Sequence, residues 1–478
     1  MRSFVISSVV VVMMLSGYLD LAPGSSVRAT AAPIWTKPEE YVLAQVRRGE
    51  PADLEDHFPP TKFKGESRTL SGKFLKELLT NPPRSASGRS YGVRINGALI
   101  QDSKPIDLHD QTVQCSVTLT RCRFDAEINF DQCSFERGLN FERCEFNRPV
   151  DFQHARIAYD FSCLGSIFNA EPSDHEPEAE FIGANVGGNF LITGATFNEP
   201  VNFTQMKIGG DLEARKDDNT GQITTFGNKV DFNEMNVTGN AFFGGCTFRS
   251  DVDFTDSVVT NLFLTAANFD GEVKLIRMRM DTGFLDTESM PGPVKLDGMT
   301  FQSLSPLSWR QLKSLTKSSN CDAVFYSDLE TLFRKHGFTD QANDVYIAER
   351  DKEREEINKW SFWGPPKWLF SFLQFWLIGY GRHLEWLLIW SLVFIGIGCG
   401  VFWKKDWMDP KKPEDKDKDY NCLWYSLDLF LPILRLGDAD TWTPKDTRRV
   451  AVQYKRLHII VGSLFVPIGL AAWTGIIK

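Results

Sequence analysis

The feature that most constrains this chain is a ladder of large apolar residues spaced by alternating steps of five and six. Leu119, Phe124, Phe130, Phe135, Phe141, Phe146, Phe152, Ile157, Cys163 and Phe168 follow one another at 5, 6, 5, 6, 5, 6, 5, 6 and 5 residues. Two positions before most rungs stands a second small or apolar residue: Cys122, Cys133, Cys144 and Ala155 on alternate rungs, Ile128, Leu139 and Val150 on the others. The text therefore repeats with a period of 11, as CRF, INF, CSF, LNF, CEF, VDF, ARI. Self-similarity at a fixed period marks a repeat architecture. The ladder resumes at Phe181, Val186, Ile192, Phe197, Phe203, Ile208 and Ala214. It resumes again from Phe232 through Phe243, Phe248 and Phe254 to Leu275, with one slip to consecutive fives.

An amphipathic helix cannot carry this spacing, because a period of five to six spirals around a 3.6-residue turn. A chain that turns a corner every five or six residues can. One large residue then points inward at each corner, and its small partner two positions earlier shares that side because strand side chains alternate. The resulting stack is a β-helix. This run, over residues 95–280, resembles the pentapeptide-repeat family, whose right-handed quadrilateral β-helix has a central Leu or Phe per pentapeptide and a small residue two before it. The frequent sixth residue departs from the strict five. Two 11-residue units per coil would give about eight coils and a rod of about 40 Å.

The fold class expected is therefore mainly β: a right-handed quadrilateral, pentapeptide-repeat-like solenoid with a small N-terminal helical cap, a helical hairpin and a C-terminal α-helical membrane region. Residues 1–32 read as a secretory signal or N-terminal anchor, with Arg2, an apolar run from Phe4 to Leu15 and small residues near Ala31. Residues 33–92 read as the cap that an open solenoid end needs, and 93–280 as the β-helix. Residues 281–358 are expected to be an irregular linker followed by a helical hairpin. The string LETLFRKHGFTDQANDVY in that stretch resembles the hairpin that follows such repeats in membrane-anchored members of the family. Two interruptions of the ladder, 169–180 and 215–225, read as surface loops.

Composition changes at residues 359–478. Residues 384–403 and 457–477 are apolar enough to read as membrane spans, residues 366–380 as an interfacial helix, and 422–436 as an apolar helix too short to cross. Trp360, Trp363, Trp368, Trp376, Trp386 and Trp403 suit headgroup depth. Lys404, Lys405, Lys411, Lys412, Lys445, Arg448 and Arg449 place the intervening loop in the cytoplasm by the positive-inside bias. That puts the repeat domain on the extracytoplasmic side of a bacterial-type inner membrane. The span, short helix, span order resembles tetrameric cation channels, although no TVGYG-like string supplies carbonyl rings. Asp428, Arg435 and Asp438 are the candidate membrane-site residues, with Asp428 and Arg435 placed to pair on one helical face.

No catalytic, cofactor or metal site is expected: HExxH, a P-loop and a dinucleotide fingerprint are absent, as is any CxxC or His spacing for zinc. The cysteines at equivalent inward positions read as small buried hydrophobes. Residues 101–280 carry 28 Asp/Glu against 15 Lys/Arg, a net of −13, which disfavours nucleic acid as a partner. The expectation is a non-catalytic, membrane-anchored protein without cofactors, presenting an acidic β-helix to a protein partner of unspecified identity and leaving oligomerisation open. Two alternatives differ in class. One is a channel-like membrane unit assembled or gated by the β-helix. The other is a cytoplasmic acidic DNA mimic, which soluble relatives of the repeat family suggest.

Overall fold

A computed structural model describes residues 35–59, 68–83, 91–169, 179–286, 290, 292–318, 321–357, 361, 363–383, 385–431 and 436–473. The expected signal segment lies outside them, as does most of the 169–180 loop.

The ladder folds as a parallel β-solenoid of about nine turns. Each turn makes four short strands, such as Arg123–Phe124, Ile128–Asn129, Ser134–Phe135 and Leu139–Glu142. The next turn lies directly on the last: Glu145 pairs with Arg123, Val150 with Ile128, Arg156 with Ser134 and Phe161 with Leu139, a regular pitch of 22 residues. Where the sequence carries an insertion, the pitch grows to 29 without loss of register, as between Ile167 and Thr196 or Thr196 and Thr225. Seven extra residues leave the stack as a loop, and the strands on either side pair as before.

The five-residue steps are tight turns. The Phe130 carbonyl accepts the Cys133 N–H at 3.0 Å, and Gln132 between them has φ 56. That geometry is a type II turn, whose third residue needs the left-handed region. The same corner recurs at Arg121, Arg143, His154, Gln205, Glu234, Asp256, Ala266 and Arg277, so non-glycine residues are held at positive φ along two edges of the rod. The six-residue steps form the other two corners, and at one of them Gly188 and Gly210 are required for a different reason. A Cβ on Gly188 would lie 2.2 Å from Asp160 Oδ1, and one on Gly210 2.2 Å from Asn189 Oδ1. These side chains form a ladder of their own: Asn189 N–H donates to Asp160 at 2.7 Å, Asp211 N–H to Asn189 at 2.8 Å and Asn240 N–H to Asp211 at 2.7 Å. The slip to consecutive fives is where this corner straightens. Val258–Phe263 and Arg279–Phe284 run as continuous strands across it, and the pitch falls to 21.

Inside, the rungs stack. Phe124, Phe146, Phe168, Phe197, Phe226, Phe248 and Phe269 form one column, with successive centroids 4.6 to 5.3 Å apart and planes within 15°. Phe130, Phe152, Phe181, Phe203, Phe232 and Phe254 form a second. Phe135, Phe141 and Phe243 fill the remaining corners, and all these rings are buried. Small residues line the tight turns. Cys122 and Cys144 are one 22-residue turn apart, and both remain free thiols. Cys144 Sγ donates to the Leu119 carbonyl at 3.2 Å, and Ser166 Oγ repeats this on Phe141 at 2.7 Å. Burial pushes the Cys133 thiol up to about 12, so it stays protonated and packs as a small hydrophobe.

The solenoid also extends past residue 280, where the aromatic ladder stops. Val294–Lys295 stacks on Val273–Lys274, and Thr300–Ser305 on Arg279–Phe284. The inward positions are now Met278, Leu285, Leu296, Met299 and Leu304, all buried. An unbranched or aliphatic side chain fills a corner as well as phenylalanine does but carries no aromatic signature, so the expected irregular stretch contains a further turn.

Both ends are covered. Helices α1 (Lys37–Arg48), α2 (Leu54–His57) and α3 (Gly72–Thr80) sit at the N-terminal end, and strands Ala52–Asp53 and Thr69–Ser71 pair with the first turn. Buried Glu39 ties them together, accepting the Ser71 N–H at 3.0 Å and its hydroxyl at 2.6 Å. At the other end α4 (Trp309–Ser318), α5 (Ala323–Lys335) and α6 (Thr339–Glu356) continue the same core, with Phe325 edge-on to Phe301 at 5.8 Å.

The C-terminal region is helical: α7 (Gly364–Ile378), α8 (Glu385–Val401), α9 (Cys422–Phe430), α10 (Asp438–Thr441) and α11 (Arg449–Trp473). Helix α11 is long and apolar enough to cross a bilayer; α7 and α8 pass that test only as a pair, bent by 119°. The expected span at 384–403 is thus a 17-residue helix, at the short end for crossing alone. An unexpected antiparallel ribbon joins Met408–Pro410 to Trp442–Pro444.

Two substitutions test opposite ends of this account. Phe146→Ala removes a ring stacked on both sides and is expected to cost about 3–5 kcal/mol in urea unfolding. Ala266→Gly relieves an exposed alanine at φ 57 and is expected to stabilise by up to about 1 kcal/mol, the gain being trimmed by glycine's freer unfolded chain. A lowered midpoint for the glycine variant would remove the left-handed corner from the description.

Candidate functional site

The three candidate membrane-site residues sit around α9. Asn421 caps this helix, accepting the Leu423 N–H at 2.9 Å, and its buried face carries Tyr425, Ser426, Asp428, Leu429 and Phe430. Asp428 points back to the chain that follows it. One carboxylate oxygen accepts the Leu436 N–H at 2.9 Å and the other the Ala439 N–H at 2.7 Å. Both oxygens therefore hold the backbone at the start of α10. Asp438 begins α10 and is half-buried. Arg435, the expected partner of Asp428, lies outside the described residues.

A polar contact that sequence patterns do not announce joins three helices instead. His458 of α11 is fully buried; its Nε2 lies 3.0 Å from the Ser426 carbonyl and 3.2 Å from its hydroxyl. The Ser426 hydroxyl donates to the Ile395 carbonyl of α8 at 2.9 Å. Glycines make the approach feasible: a Cβ on Gly398 would stand 2.2 Å from Ser426 Oγ, and one on Gly462 2.0 Å from the Phe430 carbonyl. His458 Nε2 carries its proton toward the carbonyl, while the serine hydroxyl is engaged as a donor elsewhere. Among the described residues His458 Nδ1 has no hydrogen-bond partner. A Ser–His pair without an orienting acid, and with its hydroxyl committed, is built for holding helices together and not for nucleophilic attack. Nothing in the sequence pairs Ser426 with His458, 32 residues away, because the glycine they both face, Gly398, is brought to them only by the fold.

On the solenoid the structure offers surfaces. Asp131 lies between His109, at 3.0 Å, and His154, at 3.5 Å, on successive turns. Asp253 and Lys274 pair at 2.9 Å one turn apart. Among the described residues no group of His, Cys, Asp and Glu is arranged to hold a metal ion. The larger hollows are open. One is bordered by Gln132, Ser134, His154 and Arg156, another by α4 and α6. The loop at 215–225 is braced within itself and against the neighbouring turn: Asp217 accepts the Asn219 N–H at 2.9 Å and the Thr220 hydroxyl at 2.6 Å, and the Thr224 hydroxyl accepts the Gly194 N–H at 2.8 Å.

Burial pushes the Asp151 carboxyl above its ordinary value, with the neighbouring Asp131 adding to the rise and the Gln153 backbone N–H opposing it. Folded Asp151 thus holds its proton more tightly than the unfolded chain does, and its own contribution to stability grows as pH falls through the raised value, levelling off below 3.8. Asp151→Asn keeps an acceptor for Gln153 without the charge. It is expected to be more stable than wild type at pH 7 in urea unfolding, with the difference closing toward about pH 4. An equal difference at both pH values would count against a buried carboxylate here.

Residues 114–171 match a family model described as pentapeptide repeats, in 9 copies. No curated protein and no solved structure matches the chain. The match covers the most regular turns, and the four-faced stacking continues beyond it in both directions. Together they support the pentapeptide-repeat family for this β-helix.

Proposed function

We propose that this protein is a non-catalytic repeat protein, anchored in a membrane by its C-terminal helices, that presents its acidic β-helix to a protein partner. The observation that carries the anchoring is where apolar surface is exposed. Of the 26 large hydrophobic side chains exposed among the described residues, 20 lie between Trp363 and Leu470. Leu388, Leu392, Val450 and Leu464 are 69%, 70%, 80% and 58% exposed, and such a concentration on one module marks a surface that water does not cover. Helix α11, at 25 residues, is about 37 Å long, enough for the hydrocarbon layer. The solenoid by contrast has covered ends, stiff flat faces and open hollows, which suit a macromolecular contact better than a small substrate. Its net charge of −13 over residues 101–280 favours a basic partner over nucleic acid.

A second reading draws on α9. This short helix is wedged between α8 and α11, with Ser426 bonded toward both, the order of a channel-like unit. In that reading liposomes containing the protein conduct ions, and Asp428→Asn alters the flux.

Fractionation tests the anchor. The full chain is expected to stay with membranes through alkaline carbonate washing, and a chain ending at Glu356 to be released with its β-rich spectrum intact. A full chain found in the soluble fraction would overturn the anchoring. A reporter active only outside the cytoplasm, fused after residue 320 or within 404–420, gives the side. Activity at 320 with silence in the loop fits an exported rod; the reverse brings the DNA-mimic function forward.

A further inference from the structure

Seven of the nine cysteines, all in the solenoid and its flanking helices, are buried; Cys399 and Cys422 are only half-buried. These two come from different elements. Cys399 lies in the last turn of α8 and Cys422 is the first residue of α9. Their sulfur atoms are 2.8 Å apart, so a bond of about 2.05 Å needs only a small closure. In the solenoid Cys122 and Cys144 also neighbour each other, but they are sealed inside, and their thiols donate to backbone carbonyls.

We propose that Cys399 and Cys422 form a reversible thiol–disulfide pair, a modification site that links α8 covalently to α9 when a low-molecular-weight disulfide such as glutathione disulfide is in excess. Cys422, having lost its proton to solvent, attacks one sulfur of the oxidant and releases one glutathione thiolate. Cys399, deprotonated in turn, attacks the Cys422 sulfur of this mixed disulfide and releases the second. The protein gives up two electrons and two protons, and the oxidant becomes two molecules of glutathione. The new bond closes a loop over the segment between the two cysteines, which includes the ribbon strand Met408–Pro410. It pins the start of the helix that carries Ser426 and Asp428. The reduced protein can move that helix end; the oxidised protein cannot. This inference rests on the thiol geometry and does not depend on the membrane reading.

The test uses the full-length protein in detergent, fully reduced and then equilibrated across glutathione to glutathione disulfide ratios. After acid quenching, free thiols are counted in denaturant and peptides are mapped. The expected result is a fall from nine free thiols to seven, a linked peptide joining Cys399 to Cys422, and full recovery with reductant. The oxidised form is expected to unfold at a higher temperature than the reduced one. Cys399→Ser and Cys422→Ser are each expected to keep all eight remaining thiols free through the same series. Retention of nine thiols, a stable glutathione adduct without the linked peptide, or a bond between other cysteines would overturn the proposal. The peptide map of the wild type decides the matter even if a serine variant fails to fold.

Discussion

Everything in the solenoid depends on parallel backbone pairing between one turn and the next. Because each strand is about two residues long, no face could hold by itself. Stability comes from repeating four such faces around a filled centre, so that every inward residue touches its counterparts above and below. This explains why the pitch is held at 22 residues where the corners are regular and why extra chain must leave as a loop. It also explains the two corner devices. The tight corner tolerates residues such as Gln132 and Arg143 at positive φ, and the wide corner excludes side chains at Gly188 and Gly210. Both are local costs accepted so that the hydrogen-bond ladder is not broken.

Much of this was legible in the sequence, and the reason is physical. A solenoid repeats its environment, so one structural requirement is written many times, and phenylalanine at steps of five and six is hard to mistake. Legibility failed where the requirement could be met in another way. At the C-terminal end Met278, Leu285 and Met299 fill the corners, and the ladder dissolves into ordinary hydrophobic text while the fold continues. The straightened corner at Val258–Phe263 left a trace, the run of fives, but nothing local says that a bend has become a strand.

The C-terminal module was harder to read for a different reason. Its helices follow from hydropathy, but what joins them is one contact at a time. Ser426 with His458, Cys399 with Cys422, and Met408–Pro410 with Trp442–Pro444 bring together residues 23 to 36 positions apart. No repeat reinforces any of them. The Asp428 role shows the limit of inferring function from an ionisable residue at depth. Its two backbone hydrogen bonds give it a structural task that sequence position could not separate from a functional one. The coupling between the two halves is similarly specific. Arg382 reaches back to Glu330 of α5 at 2.7 Å and stacks on Tyr346 of α6 at 4.1 Å, joining the helices at the solenoid's end to those that follow.

The stacking also decides how the rod carries load. The chain enters at one end of the solenoid and leaves at the other, and the bonds between turns lie along the axis. A pull between the two ends is therefore borne by every turn-to-turn interface in series, while the four faces of each interface share the force in parallel. Such a rod does not yield gradually by sliding strands past one another. It holds until its weakest interface opens, and the rest of the column stays intact.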